Sequence, residues 1–281
     1  MQKFSILIAG CGEVGCALAV TLAQQHRVYG LRRSTEQLPP AILPIAADLL
    51  MPQTMQVLPS ADILVYCAAP SFTTEEIYTQ TYVDGLRNVL DALEKPPAHI
   101  FFTSSTGVYH QDDHQWINER SITLPTTKRA KIMLAAERQV LASGSAATVV
   151  RFSGIYGAQR LHLLNQVRSG KVFCASPVQY SNRIHLDDCA AVLAHLINKL
   201  ANLESIAPLY LASDHLPSPI SEVMSWLATA TNTQVEEVAS SRKTSSKRCD
   251  NSLLLDSGYR FIYPDFKAGY QKIIADQRQI F

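Results

Sequence analysis

The sequence has almost no excess charge of either sign, because 25 Lys and Arg residues stand against 24 Asp and Glu residues, for a net charge of +1. A balance this close to neutral argues against nucleic acid or an anionic membrane surface as a partner. No apolar run reaches the ~20 residues that a membrane-spanning helix needs. The first residues show no signal-peptide pattern either. We therefore expect a cytoplasmic protein.

Closely spaced metal-binding side chains are also absent. The six cysteines form no CxxC pair, and the eight histidines show no spacing that is typical of a metal site. We therefore expect reduced thiols and no bound metal. Cys11 is the one thiol inside a glycine-rich stretch. It could be a reactive thiol near a bound cofactor, or a small residue that fills space.

What the sequence does have is a glycine-rich turn directly after an apolar segment near the N-terminus. Gly10 permits a tight turn, Gly12 lets a pyrophosphate approach the backbone, and Gly15 lets a helix pack closely on the preceding strand. The N–H groups and the positive dipole end of that helix then face the phosphates. The pattern predicts a dinucleotide-binding domain. The residues expected at the cofactor here are Gly10, Cys11, Gly12, Glu13, Val14 and Gly15.

Strand and helix patterns alternate through the first half of the 281 residues, and a hydrophobic content of 47% supports a sizeable core. The alternation predicts an α/β fold of the Rossmann type, with a doubly wound parallel sheet. We predict the dinucleotide-binding domain over residues 1–158 and a smaller C-terminal substrate lobe over residues 159–281, of which residues 182–213 pack back on the first domain. The expected strands cover residues 5–9, 27–31, 42–46, 63–68, 99–104, 147–153, 209–213 and 234–238. The expected helices cover residues 15–25, 74–93, 127–142, 161–169, 185–200 and 222–231, and residues 240–247 are expected to form an exposed loop.

The end of the second predicted strand bears on the choice of cofactor. An acidic residue at this place binds the ribose 2′-hydroxyl of NAD, but this chain has Arg32 and Arg33 instead. Two arginines can bind a 2′-phosphate through charge-assisted hydrogen bonds, which favours NADP and leaves NAD open. The alternative is a pair of solvated arginines at a strand end.

The ends of the third and fourth predicted strands have two interpretations each. Asp48, which Leu49 follows, could accept a hydrogen bond from the adenine amino group or act as a plain turn residue. Cys67, Ala68 and Ala69 have small side chains that would let their backbone lie against the adenosine half of a cofactor. Ordinary close packing would explain the same residues.

The fifth predicted strand ends in hydroxyl-bearing residues. Thr103, Ser104, Ser105 and Thr106 lie where the nicotinamide is expected, and hydroxyls there can polarise a carbonyl or hold a hydroxyl group. Ser and Thr also begin turns for purely local reasons. We expect at least one of these hydroxyls to have a functional role.

In their order along the chain, these motifs resemble the extended short-chain dehydrogenase/reductase family. The glycine loop, Asp48-Leu49, the Ser-Ser-Thr-x-Val-Tyr motif at 104–109, and segments 151–157 and 182–188 carry the resemblance, which covers roughly residues 4–190. The tail from residue 247 is similar to a bacterial NAD-dependent epimerase/dehydratase-like branch. The resemblance implies an NAD(P)-binding Rossmann fold and a catalytic set of Ser and Tyr-x-x-x-Lys, with the Ser falling on Ser105.

The helix that should carry Tyr-x-x-x-Lys departs from the family pattern. In many members a Glu follows the Lys by four residues, and anchoring on Glu137 puts Met133 at the Lys and Arg129 at the Tyr. Both catalytic residues are therefore missing. Tyr109 and Tyr156 at strand-end turns could supply a phenol; the alternative is a solvated basic helix face and two packing tyrosines. The candidates to substitute for the pair, in falling order, are Arg129, Lys128, Lys131 and Tyr109.

Two functions from different classes stay open. The first is an NAD(P)-dependent oxidoreductase or epimerase/dehydratase-like enzyme that acts on a hydroxyl or carbonyl substrate, for which a nucleotide-linked compound is one candidate. The second is a catalytically inactive NAD(P)-binding sensor or scaffold. The missing Tyr-x-x-x-Lys favours the second, whereas Ser105 and the second lobe favour the first, which we prefer. A small-molecule substrate is the expected partner, and a homodimer is left open.

Overall fold

The computed structural model describes residues 1–56, 58–72, 74–239 and 246–278. Its strands are β1 (Ser5–Ala9), β2 (Arg27–Arg32), β3 (Leu43–Ala46), β4 (Ile63–Tyr66), β5 (His99–Ser105), β6 (Asp113–Ile117), β7 (Ala146–Phe152), β8 (Gly154–Tyr156), β9 (Lys171–Phe173), β10 (Tyr180–Ser181), β11 (Arg183–His185), β12 (Leu209–Ala212), β13 (Ser218–Pro219), β14 (Glu236–Val238) and β15 (Ser246–Cys249).

Its α-helices are α1 (Glu13–Leu22), α2 (Glu75–Thr79), α3 (Gly85–Ala92), α4 (Lys128–Leu141), α5 (His162–Arg168), α6 (Leu186–Ala201), α7 (Ile220–Ala230), α8 (Ser252–Asp256) and α9 (Phe266–Arg278). A π-helical turn over Gln80–Asp84 joins α2 to α3, so the single helix predicted here is interrupted. No helix in these described ranges is long and apolar enough to cross a membrane.

Seven strands form the central sheet in the order β12-β7-β5-β4-β1-β2-β3. The pairs β1–β2, β1–β4, β2–β3 and β4–β5 are parallel. The chain moves outward from β1 to β3 and then crosses to β4 on the other side of β1. This reversal is the switch point at which doubly wound sheets bind their ligands, beyond the carboxyl ends of the strands. The predicted α/β Rossmann fold is confirmed.

The core explains why the strand predictions succeeded. Ile6, Leu7 and Ile8 of β1 are fully buried, and so are Leu64 and Val65 of β4. Parallel strands covered on both faces need such unbroken apolar runs, and these runs were visible in the sequence.

The chain divides into two compact units. Unit 1 comprises Met1–Val108, Leu124–Arg151 and Ala190–Tyr210, and unit 2 comprises Tyr109–Thr123, Phe152–Cys189 and Leu211–Phe281. Unit 2 has an apolar cluster of its own, which includes Leu164, Val223, Met224 and Phe266. The boundary predicted near residue 158 stays a prediction.

One local prediction in the last part of the chain needs correction, and one long helix there was not predicted. Residues 240–245 of the predicted exposed loop lie outside the described residues, but Ser246 and Lys247 belong to β15 and are buried. The Lys247 ammonium donates a hydrogen bond to the Tyr109 carbonyl oxygen at 3.0 Å, so hydrogen bonding allows this polar strand to be buried. The helix α9 was not predicted, although the spacing of Phe266, Tyr270 and Ile273 on its buried face indicates one.

Candidate functional site

The glycine loop between β1 and α1 has the geometry that its sequence predicts. Gly10 has a φ of +86°, and a Cβ at this position would lie 2.4 Å from the Ala68 Cα, so only glycine fits. The N–H groups of Gly10 and Cys11 both donate to the Leu31 carbonyl oxygen, at 3.0 and 3.1 Å. The loop is therefore held between the ends of β2 and β4.

Gly12 and Gly15 have different roles in the same loop. Gly12 caps α1, and a Cβ built on it would meet no atom within 4 Å, so the space in front of the helix N-terminus is open. A Cβ on Gly15 would lie 3.0 Å from the Gly10 carbonyl oxygen and 3.3 Å from Ile8 Cγ2. Gly15 therefore permits close packing, whereas Gly12 leaves room for a phosphate at the positive end of the helix. Because Gly12 is the cap, α1 begins two residues before the predicted position.

The small residues after β4 lie against this loop. The Cys67 N–H donates to the Ala9 carbonyl oxygen at 2.9 Å, and Ala68 is buried beside Gly10. Ala69 is exposed. Within the loop itself, Val14 is buried in the first turn of α1. The structure thus brings the predicted adenosine-side turn to the glycine loop.

The two arginines lie at the carboxyl end of β2, as the sequence predicts. Arg32 is half-buried as the last residue of the strand, and Arg33 is exposed directly after it. The Arg33 guanidinium donates to the Ser71 hydroxyl at 3.5 Å. Both arginines therefore lie at the end of β2 where the Leu31 carbonyl oxygen accepts the N–H groups of Gly10 and Cys11.

Asp48 has the contacts of a turn residue. Its carboxylate accepts the Leu50 N–H at 2.9 Å, and its own N–H donates to the Thr54 hydroxyl at 2.9 Å. Leu49 lies on the same turn, and its carbonyl oxygen accepts a hydrogen bond from the Asn88 side chain at 2.8 Å. These bonds establish the turn role, and an adenine contact of Asp48 stays a prediction.

The hydroxyls at the end of β5 have three different partners. Thr103 donates to the Tyr66 carbonyl oxygen at 3.2 Å, which joins β5 to β4. Ser104 is buried and donates to Glu137 at 2.5 Å. Half-buried Ser105 accepts the Gly107 N–H at 3.1 Å. Two of the three hydroxyls thus donate to the protein itself, and Ser105 is the one best placed to meet a ligand.

A buried ion pair, which the sequence analysis missed, supports the end of β5. Arg151 of β7 donates through Nε to Glu137 Oε1 at 2.9 Å and through a terminal nitrogen to Oε2 at 2.6 Å. Glu137 is 2% exposed, and it also accepts the Ser104 hydroxyl. A buried charge pair persists only when its hydrogen bonds are satisfied, as they are here. The signal in the sequence that could have revealed this ion pair is Glu137, an acidic residue on the apolar face of α4.

The four candidates for the missing catalytic pair lie in different surroundings. Lys128 is exposed and pairs with Glu75 at 2.9 Å, and Lys131 is exposed one turn further on. The exposed Arg129 guanidinium lies 5.8 Å from the centre of the Tyr78 ring. Tyr109 is buried and belongs to unit 2, and its hydroxyl donates a hydrogen bond to the Asn118 carbonyl oxygen at 2.9 Å.

Tyr78 is a phenol that the sequence analysis did not single out. It lies on α2, half-buried, with its ring facing the Arg129 guanidinium and 5.4 Å from the Tyr82 ring. The aligned Lys position holds Met133, which is 6% exposed and packs in the core. The structure therefore supplies a phenol beside Arg129, but an apolar side chain where the family lysine would be.

Unit 2 contains a second polar cluster, all of it buried. Asp188 accepts the Tyr259 hydroxyl at 2.6 Å and the N–H groups of Ile262 and Tyr263 at 2.8 and 3.0 Å, so it fixes the tail of the chain. Asp214 is 1% exposed, and burial raises its pKa to about 8. Burial also lowers the pKa of His185.

Several side-chain atoms of this cluster have no hydrogen-bond partner within the described residues, among them Asp214 Oδ2, His185 Nε2 and Tyr156 Oη. Over the same residues, no group of three His, Cys, Asp or Glu side chains is arranged to hold a metal ion. The cluster thus combines a carboxyl group whose pKa is raised by burial with buried polar atoms that lack a partner within the described residues.

A match to a family model over most of the chain identifies the family. A family model described as the RmlD substrate binding domain matches residues 4–256. The chain belongs to the RmlD substrate binding domain family. The resemblance to extended short-chain dehydrogenases/reductases, in the NAD-dependent epimerase/dehydratase-like branch, is thereby confirmed.

Solved structures similar to this RmlD-family chain cover nearly all of it. A Methylobacillus flagellatus protein whose name proposes an NAD-dependent epimerase/dehydratase is 38% identical over 98% of this chain and 99% of that one, with a TM-score of 0.81. RMD from Pseudomonas aeruginosa, complexed with NADPH, is 20% identical over 98% and 99%, with a TM-score of 0.76.

The dTDP-glucose 4,6-dehydratase from Bacillus anthracis str. Ames, in complex with NAD, is 15% identical over 99% of this chain and 97% of that one, with a TM-score of 0.78. At identities this low, RMD and the dehydratase show the fold alone. No curated protein matches the chain.

Proposed function

We propose that the protein is an NADP(H)-dependent oxidoreductase of the epimerase/dehydratase type, acting on a hydroxyl or carbonyl group of a nucleotide-linked small molecule. The observation that supports cofactor binding most directly is the open space in front of Gly12 at the N-terminus of α1. Arg32 and Arg33 at the adjacent strand end favour the 2′-phosphate. The NADPH and NAD complexes of the structural neighbours support a nicotinamide dinucleotide.

The nicotinamide, when bound, supplies or accepts the hydride, and the protein supplies position and charge. Ser105 donates a hydrogen bond to the reacting oxygen, because Ser104 and Thr103 already donate to protein acceptors. The Arg129 guanidinium has only N–H donors and no acceptor, so it stabilises an oxyanion but cannot act as the base. The phenol beside it, Tyr78, delivers or accepts the proton.

A cofactor-binding protein without catalysis is the second candidate. The burial of Met133 at the aligned lysine position favours it, since no ammonium group takes that place on α4. Incubation with NADPH and a panel of nucleotide-linked ketones and aldehydes, followed by nicotinamide absorbance, distinguishes the two. Turnover that falls in the Ser105→Ala variant supports the enzyme, whereas NADPH binding without turnover of any panel member supports the sensor or scaffold.

The proposal also covers the cellular compartment, the class of partner and the oligomeric state. All six cysteines lie in the described part of the chain and none forms a disulfide, which suits the reducing cytoplasm. The substrate is a small molecule rather than nucleic acid or a membrane, in keeping with a net charge of +1. Light scattering of the purified chain decides between a monomer and a homodimer.

A further inference from the structure

Two cysteines, one in the glycine loop and one at the start of α1, lie in contact with each other. The Sγ atoms of Cys11 and Cys16 are 3.8 Å apart, and the Cys16 thiol points at the Cys11 carbonyl oxygen at 3.3 Å. Cys11 ends the turn before α1, and Cys16 lies in the first turns of that helix. The segment between them is Gly12–Gly15, whose backbone faces the expected pyrophosphate.

We propose that Cys11 and Cys16 form a dithiol modification site that hydroperoxides convert to a disulfide, and that this disulfide weakens dinucleotide binding. The first part rests on the contact of the two thiols alone. The second part rests on the proposed function, because it assumes that the loop binds the cofactor.

The two thiols differ in exposure, which gives the reaction an order. Cys11 is fully buried, and burial raises the pKa of its thiol, whereas Cys16 is partly exposed. The Cys16 sulfur attacks a peroxide oxygen, the O–O bond breaks, and a sulfenic acid and water (or an alcohol) form. The Cys11 sulfur then attacks the Cys16 sulfur, the S–O bond breaks, and the Cys11 proton leaves with the oxygen as water. The two thiols lose two electrons in total, and the hydroperoxide gains them.

Disulfide formation has to bring the two sulfur atoms closer together. The Sγ atoms must approach from 3.8 Å to the S–S bond length of about 2.05 Å. The Cys11 side chain is packed against β2, because a Cβ on Gly30 would lie only 3.2 Å from Cys11 Sγ, and its N–H is bonded to the Leu31 carbonyl oxygen. Drawing Cys11 toward α1 therefore displaces the turn that orients the Gly12 and Glu13 backbone.

The test maps the disulfide by the position of Glu13, which lies between the two cysteines. The full chain is reduced, treated with hydrogen peroxide, blocked with iodoacetamide and cut with a glutamate-specific protease, which separates fragments 1–13 and 14–36. We expect these fragments to stay joined after peroxide and to separate after dithiothreitol. Separate fragments after peroxide, or fragment 1–13 joined to the fragment with Cys67, would overturn the proposal.

Matched variants and a binding measurement complete the test. Cys16→Ala should abolish the linked fragments and keep the NADPH affinity of the untreated protein, whereas Cys174→Ala, outside the loop, should change neither result. We expect peroxide to raise the NADPH dissociation constant at least tenfold in the wild-type chain, reversibly with dithiothreitol, and not in Cys16→Ala. A linked disulfide with unchanged NADPH affinity would overturn the effect on binding. A reduced protein that binds no dinucleotide would refute the proposed function, while the fragment map would still decide on the disulfide.

Discussion

Arg151 binds both carboxylate oxygens of Glu137 inside unit 1, and the same carboxylate accepts the hydroxyl of Ser104. The residue next to Ser104 is Ser105, the hydroxyl that we place at the reacting oxygen. The ion pair therefore joins α4, β5 and β7 at the point where the candidate site needs a fixed backbone. Glu137, which the sequence analysis used only to position the catalytic motif, therefore connects these three elements through its hydrogen bonds.

Replacing Glu137 by Gln should destabilise the protein strongly, because it leaves the Arg151 charge buried without its full partner. Breaking one side of a buried pair costs about 3–5 kcal/mol, whereas an exposed pair contributes about 0–1 kcal/mol. Lys128→Gln, which removes the exposed pair with Glu75, is the matched control. Urea unfolding measures both, and equal free energies of unfolding for the two variants would contradict the role given to Glu137.

The Arg32→Ala/Arg33→Ala double variant should bind NADP more weakly by at least tenfold and NAD almost as before. Only NADP carries the 2′-phosphate that the two guanidinium groups are proposed to bind. Arg27→Ala, which removes an exposed arginine at the opposite end of β2, is the control for loss of an arginine elsewhere on the strand. Calorimetric titration with both dinucleotides decides the matter, and equal losses for NADP and NAD would rule the interpretation out.

Gly12→Val should abolish dinucleotide binding and leave the fold intact. A Cβ built at this position meets nothing within 4 Å outside its adjacent residues, so we expect the new side chain to enter the open space that we propose for the pyrophosphate. Gly10→Val gives the contrast, since its Cβ would lie 2.4 Å from the Ala68 Cα and its φ is +86°. We expect thermal unfolding to show a large loss of stability for Gly10→Val alone. A well-folded Gly12→Val protein that binds NADPH normally would mean that the cofactor site lies elsewhere.

Asp214 should make the protein less stable as the pH rises from about 4 to about 8. Burial raises the pKa of its carboxyl group to about 8, against about 3.9 in an unfolded chain. Between these values the folded state binds more protons than the unfolded state, so the free energy of unfolding falls with increasing pH. Asp214→Asn should remove that slope, and Asp91→Asn, an exposed carboxyl, should retain it. Parallel pH profiles for the wild type and Asp214→Asn, measured by urea unfolding, would contradict the raised pKa.

The sequence was sufficient for those parts of the fold that unbroken apolar runs and glycine geometry determine. The strand β1, the loop at Gly10 and Gly12, and the helix α4 all follow from local residue patterns. The partners of polar side chains could not be predicted in the same way. The Glu137–Arg151 pair joins residues on separate elements, and the phenol of Tyr78 comes near Arg129 only because two helices pack together. Such contacts depend on tertiary packing, which a single sequence does not display.

The hydride step is the central claim, and isotope transfer tests it most directly. NADPH carrying deuterium at nicotinamide C4 is incubated with the protein and nucleotide-linked carbonyl compounds, and the products are analysed by mass spectrometry. We predict deuterium in a product alcohol, with the rate about 10²-fold lower in Ser105→Ala, which removes one hydrogen bond to the oxyanion, and also lowered in Arg129→Gln. Wild-type protein that binds NADPH yet transfers deuterium to no compound, or that transfers it equally fast without Ser105, would contradict the account.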